Sequence, residues 1–75
     1  MAHKNFRKED FVQNNEKQYQ IEFKKQLVGE GINLIVERLN EKHEYETIQA
    51  QITRSNDSIF IIWDQPFDGR IIFEE

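Results

Sequence analysis

Seventy-five residues with a formal net charge of −4, 32% charged and 37% hydrophobic side chains describe one small domain, near the lower limit of what an unaided core supports. The absence of cysteine excludes disulfides and the usual thiolate zinc ligands, and no run approaches the roughly 18 apolar residues of a membrane span. The acidic balance disfavours nucleic acid as a partner, because that affinity rests on neutralising phosphates.

The charge is uneven. Residues 1–40 hold seven basic and six acidic side chains, whereas residues 41–75 hold three basic and eight acidic ones. An acidic C-terminal half suits a basic partner or simply a hydrated surface. With no cysteine and no apolar leader in Met1–Lys8, a soluble cytoplasmic protein with no membrane association is expected.

Residues 1–10 are polar apart from Phe6 and read as a flexible tail, ahead of a single small domain over 11–75. In that tail Lys4, Arg7 and Lys8 form a basic cluster that Glu9 and Asp10 answer at once. Two patterns then compete. Tyr19, Ile21 and Phe23 alternate with Gln18, Gln20, Glu22 and Lys24, as in a half-buried strand. Val12, Tyr19, Phe23 and Leu27 instead share a face at 3.6 residues per turn, leaving Ile21 and Val28 off it. Abundant Glu, Gln and Lys, a cap at Asn15 with Gln18 in the capping-box position, and a stop at Gly29 favour a helix over about 9–28.

Gly29-Glu30-Gly31 reads as a tight turn; it lacks the further glycine and the lysine of a phosphate-binding loop. Ile32, Ile35, Val36 and Leu39 recur at i, i+3, i+4 and i+7, which predicts a second helix over about 31–43. From Tyr45 the period is two, and Ile48, Ala50 and Ile52 define a strand over about 45–54. Arg54–Asp57 reads as a turn. Ser58–Trp63 is the densest apolar run, with Phe60 and Ile62 on one face and Ile59, Ile61 and Trp63 on the other, a two-faced central strand. A turn at Asp64–Gly69 and a strand over about 70–74 complete an α+β fold: two N-terminal helices followed by a three-stranded antiparallel β-meander, with Glu74 and Glu75 as charges on an exposed edge.

The residues offer little chemistry. His43 reads as a cation at a helix C-terminus, and His43, Glu44 and Glu46 show no metal-ligand spacing. Asp64 and Asp68 flank a turn, and neither Ser55 nor Ser58 has a nearby relay. No catalytic residue, cofactor or metal is expected, and the chain reads as a non-enzyme. The expected function is a small protein–protein interaction or regulatory module, homodimeric through an exposed sheet face or bound to another protein, with Ile59, Ile61, Trp63, Phe67 and Ile72 as the partner-binding residues. Two alternatives are a nucleic-acid-binding domain that uses the basic N-terminal segment with Lys17, Lys24 and Lys25, and an acidic nucleic-acid mimic that inhibits a basic protein.

Overall fold

Period two prevails over period 3.6 throughout the N-terminal half. In the computed structural model, which describes residues 2–31 and 33–74, Ile21 and Phe23 point into the core, joined by half-buried Tyr19, while Glu22 and Lys24 stay exposed. A helix would have left Ile21 and Val28 off its buried face; the strand buries Ile21 and the turn beyond it buries Val28. The expected helices over 9–28 and 31–43 are therefore replaced by strands. Met1, Ile32, the first member of the second helical pattern, and Glu75, one of the two expected edge charges, lie outside the described residues.

In chain order the strands are β1 (Ala2–Phe6), β2 (Val12–Gln13), β3 (Tyr19–Lys24), β4 (Ile35–Leu39), β5 (Tyr45–Ile48), β6 (Gln51–Arg54), β7 (Ser58–Trp63) and β8 (Gly69–Phe73). The helical content among the described residues is a 3-10 turn at Lys8–Asp10 and a single α turn, α1 (Lys25–Val28). The segment expected as a tail forms β1 and pairs with β8 from Ala2↔Phe73 to Phe6↔Gly69.

Two antiparallel four-stranded sheets result. The first has the order β1-β8-β4-β5 and the second β2-β3-β7-β6. The expected three-stranded meander is thus corrected in two places. The single strand over 45–54 divides at Gln49 and Ala50, where the chain leaves the first sheet, so that Ile48 pairs with Val36 and Ile52 with Ile61. The strands at 58–63 and 69–73 do form, but they do not pair with each other; Asp64–Asp68 carries the chain across from the second sheet to the first. A turn read only as a reversal is a crossing, because Phe67 within it is buried and stacks edge-on to Phe6 and Trp63 at centroid distances of 5.4 and 6.2 Å.

Ile21, Phe23, Ile59 and Ile61 of the second sheet meet Phe6, Val36, Ile71 and Phe73 of the first in one continuous core. Gly69 is required by close approach: a Cβ there would collide with the Glu37 carbonyl oxygen.

Three hairpins, β2–β3, β4–β5 and β6–β7, supply two strands each. The first two close by the same device. Asn14 accepts from the backbone N–H groups of Glu16 and Gln18 at 2.9 and 3.0 Å, and Asn40 accepts from those of Lys42 and Glu44 at the same distances. The fourth residue of each five-residue loop takes positive φ, 63° at Lys17 and 62° at His43. His43 is therefore a turn residue, not the cation at a helix end that the apolar spacing implied.

Candidate functional site

The expected partner-binding residues do not form one surface. Ile59 and Ile61 are fully buried between the sheets, Phe67 is buried at the end of the core, and Trp63 is half-buried on the same side of β7. Ile72 lies on the outer side of the first sheet, level with His3 and Ile35. The face of β7 that the core leaves outside carries Phe60 and Ile62. The sequence marks both faces as apolar, but only the pairing Ile21↔Ile61 and Ile61↔Ile52 decides which is inside.

The outer side of the second sheet is level across its strands. Val12, Gln20, Ile62 and Gln51 form one row, and Glu22, Phe60 and Thr53 the next. Among the described residues, Val12 and Leu27 are the exposed large hydrophobic ones, at 66% and 61%. Both flank a cleft of about 550 Å3 that also touches Phe60, Glu22 and Lys24, and whose far wall is Lys4, Asn5 and Phe6 of β1.

This cleft exists because β2 is too short. It pairs with Tyr19 and Gln20 alone, and among the described residues no strand continues beside Ile21–Lys24 on that side. The direction of the backbone groups follows from the ladder. Lys25 N–H donates to the Asp57 carbonyl at 2.8 Å, so the odd-numbered residues of β3 bond β7; Asn14 N–H donates to the Gln18 carbonyl at 2.8 Å, so the even-numbered ones face the other way. The N–H and C=O of Glu22 and the N–H of Lys24 accordingly project into the cleft, while the Lys24 carbonyl caps α1.

The side chains there are paired along the strand. Lys24 Nζ lies 3.0 Å from Glu22 Oε2, and the buried Ser58 hydroxyl donates to the same oxygen at 2.5 Å. Chiefly the Ser58 hydrogen bond, and then Lys24, hold the Glu22 carboxyl below its ordinary value.

A larger cleft, about 880 Å3, opens beside Tyr45, Leu39, Glu9, Asp10 and Asp68. Its polar groups are committed to the fold. Asp10 accepts from the Arg7 N–H at 3.0 Å, Asp68 from the Lys8 N–H at 2.9 Å, and Tyr45 Oη from Asn5 at 3.2 Å. Arg70 lies over the Tyr45 ring at 3.9 Å while donating to Glu37 at 2.5 Å. The four carboxylates of the β4–β5 and β7–β8 turns, Glu41, Glu44, Asp64 and Asp68, belong to separate loops, and among the described residues no three His, Cys, Asp or Glu side chains converge as a metal site.

The basic residues are dispersed as well. Lys17 is in the β2–β3 turn, Lys24 ends β3, and Lys25 pairs with Glu30 at 3.2 Å. No helix among the described residues is long and apolar enough to cross a membrane. No protein-family description matches this chain, and neither a curated protein nor a solved structure matches it.

Proposed function

We propose that this chain is a small non-enzymatic protein-interaction module that associates with a second copy of itself, using the corner formed by β2, the free side of β3 and α1. The reading rests on one observation: the two large hydrophobic residues exposed among the described residues, Val12 and Leu27, flank a single cleft beside Phe60 and an unpaired stretch of strand. Contiguous apolar surface beside an open strand edge is costly to leave in water and is the usual raw material of an interface. The neutral side chains Gln20, Gln51 and Thr53 around Phe60 and Ile62 add no repulsion between copies.

Light scattering behind a size-exclusion column at two widely separated concentrations tests the reading. Mass is expected to rise with concentration towards twice the 9.1 kDa of one chain. Leu27→Asp, at an exposed position, should weaken the association about tenfold or more, the order expected from losing one buried leucine side chain. A parent that stays at one chain mass at both concentrations would end the proposal.

A further inference from the structure

From the backbone directions along β3 we infer the form of that self-association: the free edge of β3 pairs antiparallel with the same edge of a second copy, with Phe23 at the two-fold axis. The inference rests on the self-association proposed above and adds its register. The edge-facing groups belong to Glu22 and Lys24, as the hydrogen bonds at Lys25 and Asn14 require. In the register that places Phe23 opposite its own copy, Glu22 of each chain stands opposite Lys24 of the other, and in both pairs the Lys24 N–H donates to the Glu22 carbonyl.

The same register matches opposite charges twice, since cross-strand neighbours of opposite sign attract and like charges repel. A shift by one pair in either direction places Glu22 opposite Glu22 or Lys24 opposite Lys24. The apolar residues follow the same symmetry. Val12 lies one strand out from Gln20, two residues along the same edge from Glu22, so Val12 of each chain is carried towards the α turn that bears Leu27 in its partner.

Other outer strands are guarded against such pairing. β1 carries the exposed Lys4 opposite the fully buried Ile71, a charge on the core-facing side of that edge strand. On β6, the Arg54 guanidinium is tied to the carbonyls of Glu30 and Gly31 at 3.3 and 2.9 Å, which draws that loop towards the edge. On β5, Asn40 N–H bonds the Glu44 carbonyl, so Tyr45 and Thr47 face outward, and pairing them with a second copy sets Glu46 opposite Glu46.

Lys24→Pro is the sharpest test. Lys24 has φ −72° and ψ 135°, which proline adopts without strain, and the N–H it loses faces the free edge. Its monomer should fold as the parent does, while sedimentation equilibrium should show association weakened about tenfold or more. Glu22→Lys and Lys24→Glu should each weaken self-association to a similar degree, and an equimolar mixture of the two should recover a heterodimer of near-parental affinity, because each lysine then meets a glutamate. Parental affinity in Lys24→Pro and in both charge variants, or a mixture that gains nothing over its components, would overturn the edge register. If Leu27→Asp disrupts a dimer that these edge variants leave intact, the corner mediates association by another geometry and only this inference falls; a parent that never associates removes both.

Discussion

At the scale of single residues, Ser58 shows how a buried polar group is made acceptable. It is the first residue of the most apolar strand, yet it is 3% exposed, and its hydroxyl donates to Glu22 across the β3–β7 ladder. A buried hydroxyl without a partner would be costly, so the neighbouring carboxylate is recruited. The Glu22 carboxyl titrates below its ordinary value of 4.5 in consequence. The sign of the linkage follows: a carboxyl whose folded pKa is depressed contributes stability above its unfolded pKa and loses that contribution as pH falls through the folded one. Ser58→Ala should therefore move the Glu22 titration, followed by carboxyl carbon NMR, upward towards its ordinary value. An unchanged titration would show that Lys24 alone sets it.

At the scale of elements, the two asparagine-closed hairpins account for much of the difference between the expected and observed secondary structure. Asn14–Gln18 and Asn40–Glu44 each lie inside or at the end of a segment whose apolar spacing also fits a helix. In each, the asparagine side chain satisfies two backbone N–H groups that a helix would have used internally. Asn40→Ala should cost about 1 kcal/mol in chemical denaturation, since the exposed N–H groups regain water when the acceptor is lost. Asn followed by charged residues at 14–18 and 40–44 was the available local signal for these turns; the first reads equally well as a helix cap at Asn15 and the second as the end of a helix at 43, and the spacing of Val12, Tyr19, Phe23 and Leu27 and of Ile32, Ile35, Val36 and Leu39 tips both readings the wrong way. The candidate corner was legible only in part. The alternation at 18–24 places Glu22 and Lys24 together on a polar face, but nothing local says that β2 ends after Gln13 and leaves them without a neighbour.

At the scale of the whole molecule, the aromatic residues act as a plug where the sheets are bridged. Phe67 lies 5.1 Å from Phe11 and 5.4 Å from Phe6, and Phe6 lies 6.0 Å from Phe23, which ties both sheets to the β7–β8 crossing. A domain of this length has about 4–11 kcal/mol of total stability. Removing a buried phenylalanine side chain costs about 3–5 kcal/mol, so Phe67→Ala should take away a large fraction of that stability, and nearly all of it at the lower end of the range. A clearly lowered midpoint in a urea titration would report it; a variant with the parental midpoint would show that Phe67 covers the core without supporting it.

The sequence alone settles what depends on neighbours a few residues apart: the apolar strand at 58–63 with its two hydrophobic faces, the strand that follows Gly69, and the break at Gly29-Glu30-Gly31. Tertiary structure decides the rest, because the deciding partners lie far away in the chain. Ile21 becomes a strand residue by meeting Ile61, and Val36 by meeting Ile48 and Ile71, contacts that no local period encodes. The same long-range pairing turns Ile59 and Ile61 inward, leaves Phe60 and Ile62 outside, and stops β2 short of Glu22, so that an ordinary alternating strand acquires a free and self-complementary edge.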